Sequence, residues 1–145
     1  MSTHLKDLPA FIDGMYSLLR PGGKIVVFDW MAGSPKTPGN KEARIINAVI
    51  RTMLMQNIET MAGYADLLRA KRYEVLFSEN TSDKTFKTWK DAATGIRSSL
   101  KMLVGANPRK LLEMITFVRG VRAMRIAMEK KVVQSGIIIA FRPAI

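Results

Sequence analysis

The stretch Leu19-Arg20-Pro21-Gly22-Gly23-Lys24-Ile25-Val26-Val27-Phe28-Asp29-Trp30 decides how the chain is built. Proline cannot extend a helix, and paired glycines supply the positive φ angles of a sharp reversal, so whatever precedes residue 20 ends there. Lys24 to Trp30 is then a short, continuous β-branched and aromatic run. That pattern predicts a strand buried on both faces, as parallel sheets flanked by helices require. Upstream, Leu5, Leu8, Phe11, Ile12, Met15, Leu18 and Leu19 recur at three- and four-residue intervals, which predicts an amphipathic helix over 5–19. Helix, tight turn and buried strand form the second half of a βαβ unit. Residues 31–40, rich in Gly, Pro, Ser, Thr and Asn, read as a loop at the carboxyl end of the strand, the end that faces ligand in open α/β sheets.

Further along, Ala43, Ile46, Ile50, Met53 and Leu54 make a helical stripe over 41–57, and Tyr64, Leu67 and Leu68 point inward from a helix over 60–71. Tyr73 to Glu79 alternates as a strand, and Asn80-Thr81-Ser82-Asp83 supplies turn and cap chemistry, with Asp83 as the expected N-cap. Two long helices, 84–103 and 108–131, are divided by Gly105-Ala106-Asn107-Pro108, where Asn caps and Pro enters the first turn. A last buried strand covers 136–142, and Pro143 ends it. Three strands among several helices give an α/β reading.

Composition bounds the chemistry. The 145 residues suit a single domain, and 48% hydrophobic with 24% charged residues is the balance of a globular chain. With no Cys and one His, thiol nucleophiles, disulfides, iron–sulfur clusters and all-histidine metal sites are excluded. No run approaches the ~18 apolar residues of a membrane span and no secretory leader pattern opens the chain, so a cytoplasmic location is expected. The net charge is +11, and residues 83–142 hold thirteen Lys and Arg against four Asp and Glu. Such a field favours an anionic partner without naming it. Aromatic–basic interleaving of the RNA-stacking kind is missing, which counts against nucleic acid.

At this point the residues resemble a family. Ser2-Thr3-His4-Leu5-Lys6-Asp7, Phe11, Leu19-Arg20-Pro21-Gly22-Gly23-Lys24-Ile25 and Asp29-Trp30 are similar to the helix, turn and fifth strand of class I S-adenosylmethionine-dependent methyltransferases. The nearest branch is the tocopherol C-methyltransferase-like and sarcosine/dimethylglycine N-methyltransferase-like one. Tyr64-Ala65-Asp66-Leu67-Leu68 before Tyr73-Glu74-Val75 resembles the helix and sixth strand, with Arg72-Tyr73 where Gly-Phe is usual. Ser82, Trp89 and the stretch from Lys131 to Pro143 resemble the lid helices and the seventh strand. The resemblance covers residues 2–143. It implies one partial domain over 1–145: 1–40 as helix, turn and strand, 41–72 and 83–131 as lid and flanking helices, and 73–79 and 136–142 as the last strands. The fold expected is therefore the C-terminal half, strands five to seven, of a Rossmann-like methyltransferase sheet with a helical acceptor lid.

The family holds its methyl donor on a Gly-rich turn after the first strand and an acid at the end of the second, and neither segment has a counterpart here. Gly22-Gly23 precedes a strand, where no helix start is offered to a nucleoside. The chain begins about where the fourth strand should end, so the edge of the Lys24–Trp30 strand needs a cover. We expect a second chain carrying the first half, giving a split, hetero-oligomeric enzyme with S-adenosylmethionine bound mainly by that partner. An excised fragment and a self-exchanged homodimer are the other arrangements, and a non-catalytic binding or regulatory subunit is the alternative function. A lipophilic or amphiphilic small molecule is the acceptor class implied.

The resemblance also singles out residues. His4 falls at the end of the fourth strand, beside the donor and the reactive methyl, as a cofactor contact and a catalytic base; an exposed capping histidine is the plainer reading. Trp30 and Met31 follow the strand's carboxyl end, where an acceptor approaches, and Tyr64 and Trp89 belong either to the lid over it or to the core. The methionines at 53, 55, 61, 102, 114, 124 and 128 suit an adaptable apolar pocket or core filling. Arg119, Arg122, Arg125, Lys130 and Lys131 fit an anionic ligand, an acidic partner half or an ordinary solvated helix face.

Overall fold

A computed structural model describes residues 2–34, 41–99 and 107–144. A short 3-10 turn over Ser2–His4 leads into α1 (Leu8–Leu18), followed by β1 (Lys24–Ala32), α2 (Lys41–Thr52), α3 (Met61–Ala70), β2 (Glu74–Asn80), α4 (Ser82–Ser99), α5 (Pro108–Glu129) and β3 (Val133–Phe141). The end of the expected 31–40 loop beyond residue 34, the helix beyond residue 99 with Met102, and Gly105-Ala106 lie outside the described residues.

The three strands form one sheet in the order β1-β3-β2, so the last strand to be made inserts between the other two. Both pairings are antiparallel: Lys24 faces Phe141 and Ala32 faces Val133 on one side, and Glu74 faces Phe141 on the other, with a bulge between Val75 and Phe77. Fully two-sided burial of β1 is therefore corrected. Val27, Asp29 and Met31 are buried, whereas Val26 and Phe28 on the opposite face are 60% and 55% exposed. A continuous apolar run does not distinguish a strand sandwiched between helices from one whose second face is bare.

Two clusters hold the molecule together. In the first, α1 and α3 lay Leu8, Ile12, Tyr16, Tyr64 and Leu68 against Val27, Met31, Ile138 and Ala140 of the sheet. In the second, Ile46 and Val49 of α2 meet Met124, Ala127 and Met128 of α5 beside Ala32 and Val133. Gly120 lets the two helices close, because a Cβ there would stand 2.9 Å from the sulfur of Met53 and 3.3 Å from the Thr52 carbonyl. The Gly22-Gly23 reversal is held by β3's continuation: Gly22 N–H donates to Arg142 O at 2.8 Å, and Arg142 N–H to Gly23 O at 2.9 Å. Gly22 takes the positive φ of 75° that the turn demands.

Several helix starts differ from expectation for local reasons. Helix α1 begins at Leu8 rather than at residue 5, where Asp7 caps it by accepting from Ala10 N–H at 2.9 Å. Helix α4 begins at Ser82, with the Thr81 carbonyl accepting from Lys84 and Thr85, so Asp83 sits in the first turn instead of capping it. Asn107 does cap α5, accepting from Arg109 N–H at 2.9 Å. Strand β3 starts at Val133, three residues before Gly136, because Gln134 and Ser135 are polar residues whose partners come from distant segments: Asn80 for the first, Thr81 and Thr85 for the second.

Candidate functional site

The carboxyl end of β1 is where the polar groups converge. Asp29 is a carboxylate only 4% exposed, set in the sheet between Phe28 and Trp30. Burial of a charge is tolerated only when hydrogen bonds replace its hydration. Here Oδ2 accepts from the Ser2 hydroxyl at 2.6 Å, from Thr3 N–H at 3.1 Å and from Ser2 N–H; Oδ1 accepts from Trp30 N–H at 2.9 Å and from the Thr3 hydroxyl at 3.3 Å. The effect is to clamp the Ser2–His4 turn onto the strand. The other side of that turn is tied to the segment between α2 and α3, since Thr3 O accepts from Gln56 N–H at 2.7 Å and Asn57 N–H at 3.2 Å.

His4 is thereby fixed although it is exposed. Its Nδ1 lies 3.0 Å from the Leu54 carbonyl oxygen. A carbonyl can only accept, so the contact requires the proton on Nδ1 and leaves Nε2 as the acceptor of a neutral ring. Leu54 offers that carbonyl from a left-handed conformation, φ 54°, at the end of α2.

Tyr64, from α3, is 3% exposed and its hydroxyl region meets Ser2 and Asp29. Burial pushes its phenol above the ordinary range and the Asp29 charge adds to this, while the hydrogen bond with Ser2 opposes it. Tyr64 and Trp30 share a cavity of about 10 Å³ with Ser2, Asn57 and Glu59, room for about one water. Thr60 caps α3 through Gly63 N–H at 2.9 Å, and Ala32 N–H donates to Glu59 O at 2.8 Å, so the strand end and the start of α3 are locked together.

The expected site residues divide by position. Trp30 and Trp89 meet edge to face, with ring centroids 5.5 Å apart, on the partly buried margin of the second cluster. Met31 is fully buried, with its sulfur against Gly136. His4, Trp30 and Tyr64 gather around the Ser2–His4 turn, whereas Met31 lies beneath them in the core. Sequence reasoning missed Asp29, Ser2 and Glu59; an acid inside an apolar strand, Val27-Phe28-Asp29-Trp30, was the available signal for the first. Among the described residues no cluster of His, Asp and Glu has the makings of a metal site.

The fold is one that this chain shares with part of several solved methyltransferase structures. The structural likenesses are extensive in this chain and partial in the others. A sarcosine dimethylglycine methyltransferase structure from Galdieria sulphuraria matches with a TM-score of 0.76 at 12% identity, covering 99% of this chain and 50% of that one. Haemonchus contortus phosphoethanolamine N-methyltransferase 2, in complex with phosphomonomethylethanolamine and S-adenosylhomocysteine, matches with a TM-score of 0.75 at 12% identity, over 98% of this chain and 31% of that one. In sequence, phosphoethanolamine N-methyltransferase 3 of Arabidopsis thaliana is 30% identical over 87 residues, 60% of this chain and 16% of the plant protein. The chain thus spans half or less of the length of these proteins. No protein-family model matches it.

Proposed function

We propose that the chain is the acceptor-side half of an S-adenosylmethionine-dependent small-molecule methyltransferase, completed along the open edge of β1 by a second chain that carries the methyl-donor site. One observation carries this reading: the bare side of β1. Strand β1 pairs with β3 along one edge; among the described residues the backbone of its other edge bonds only at Ala32, to the Glu59–Thr60 segment, with the Ser2–His4 turn attached through the Asp29 side chain. Beside that edge runs a groove of about 400 Å³ whose walls are mostly apolar, Leu5, Phe11, Met15, Ile25 and Phe28, with Ser2, Asp29 and Tyr64 of the candidate site among them. An apolar groove next to unpaired strand backbone is the surface that a further strand and helix would complete.

When bound, S-adenosylmethionine supplies the methyl group, by in-line displacement from its sulfonium. This chain's glycine pair does not suit the nucleoside, because Gly22 and Gly23 are already committed to Arg142. What its residues offer is the acceptor side. His4, with Nδ1 turned to the Leu54 carbonyl, would offer Nε2 as the contact to the methyl donor and as a base. Trp30, backed by Met31, gives an aromatic face to a cationic amine, and Tyr64 and Trp89 border the approach. We take the acceptor to be a lipophilic or amphiphilic small molecule; an amine bearing an anionic group is the first to assay, since the C-terminal helices are basic.

Calorimetric titration of S-adenosylhomocysteine tests the proposal. The expected result is no binding to this chain alone and micromolar binding when it is co-expressed with a chain holding a strand, a Gly-rich turn and an acid about 20 residues later. Binding by the first-half chain alone at full strength, with turnover unchanged by this one, would make it a regulatory subunit instead.

A further inference from the structure

Helix α5 changes character halfway. Its second half is anchored, with Gly120, Val121, Met124, Ala127 and Met128 buried against α2 and the sheet. Its first half overhangs the core: Phe117, in line with those buried positions, is 56% exposed. On the opposite side Leu111, Leu112 and Ile115 are 42%, 66% and 40% exposed, and helical spacing puts Arg119 and Arg122 on that same face one and two turns further along. Among the described residues neither arginine has a carboxylate within ion-pair distance, whereas Arg109 and Arg125 are paired with Glu113 and Glu129.

Exposed apolar side chains in line with guanidinium groups that no carboxylate pairs suit a lipid–water boundary, the apolar groups entering it and the arginine stems reaching its phosphates. We propose that the first half of α5 docks on an anionic lipid surface, Leu111, Leu112 and Ile115 entering the headgroup boundary and Arg119 and Arg122 pairing with its phosphates. Charge decides the occupant. A second copy of this chain, packed about a twofold axis, would set Arg119 and Arg122 against their own equivalents in a molecule already at +11. A donor-side half belongs at the β1 edge, and the stripe faces away from the sheet that α5 packs on. The exclusion of a donor-side half rests on the function proposed above; the vesicle experiment reads lipid binding whether or not that function holds.

The chain has no cysteine, so Leu112→Cys takes a single environment-sensitive dye. With phosphatidylcholine vesicles containing phosphatidylserine, we expect a blue shift of that dye and none at Glu74→Cys, which lies at the other end of the sheet. Binding to pure phosphatidylcholine should be weaker by about tenfold or more, and added salt should weaken the anionic case. The triple change Leu111→Ser, Leu112→Ser, Ile115→Ser alters only exposed side chains and should abolish co-sedimentation while circular dichroism is unchanged. Unaltered binding by that variant, no shift at position 112, or a dimer that the variant dissolves would overturn the proposal.

Discussion

The hydroxyl of Ser2 donates to the buried carboxylate of Asp29 at 2.6 Å across 27 residues of chain, and this contact turns an otherwise loose amino-terminal turn into part of the candidate site. The same turn is held by the Thr3 contacts to Asp29 and by Gln56 N–H on the Thr3 carbonyl, and it sets His4 against the Leu54 carbonyl.

Asp29→Ala should therefore cost about 2–3 kcal/mol of stability, since it strands several buried donors at once. Ser2→Ala, which removes one hydrogen bond and leaves the backbone contacts, should cost about 1 kcal/mol. Urea unfolding of both variants measures the difference. Equal stability of Asp29→Ala and the parent would show that the clamp is not energetically coupled to the fold.

Alkaline titration should reveal two buried phenols. Tyr64 and Tyr73 both sit above the ordinary value of 10.0, in each case chiefly through burial, and Tyr73 also donates to the Ile12 carbonyl at 3.1 Å. A raised folded-state pKa means that the folded chain holds its proton where the unfolded chain has released it. The stabilisation is complete below pH 10 and is lost as pH climbs through the raised values. Thermal melts should fall steeply above pH 10 in the parent, and less steeply once both are changed to Phe.

Two glycines should respond in opposite directions. Gly14 lies in α1, and a methyl group added there would have nothing within 4 Å, so Gly14→Ala should add about 0.5–1 kcal/mol. At Gly33 a Cβ would fall 1.9 Å from the Lys131 carbonyl oxygen, and Gly33→Ala should cost about 2 kcal/mol or more. Chemical denaturation of the pair separates conformational entropy from close approach.

Left-handed residues offer a further check. Lys131 has φ 56° just after α5, and Lys131→Gly should gain about 0.5–1 kcal/mol by relieving that conformation. Arg72 has φ 69°, but its guanidinium stacks 4.7 Å above the Tyr16 ring, so Arg72→Gly should come out near neutral as the two effects offset one another. A similar gain for both would deny the stacking any role.

That arginine also explains an irregularity of the sequence, Arg72-Tyr73 where the resembled family has Gly-Phe. Arg72 takes the left-handed conformation at the end of the helix, and Tyr16 meets both Arg72 and Arg142, the latter 4.8 Å from the ring and donating to the Tyr16 and Leu19 carbonyls at 3.1 and 2.8 Å. None of this is visible locally, because residues 16, 72 and 142 become neighbours only when β3 inserts between β1 and β2.

Element types and their order were legible from periodicity and from turn chemistry, since both are local: the Pro21-Gly22-Gly23 stop, the Asn107 cap and the apolar spacing of α1, α2 and α3 all act within a turn or two. The residues of the candidate site were only half legible. His4, Trp30 and Tyr64 carry recognisable chemistry, but Asp29 gains its importance from donors 26 and 27 positions away. The sequence by itself determined where the helices and strands lie and that the chain is basic. Tertiary structure alone decided that β1 has one bare face and one open edge, that Met31 is core, and that the first half of α5 overhangs with its leucines exposed. The physical reason is that burial belongs to pairs of surfaces, and a sequence states only one member of each pair at a time.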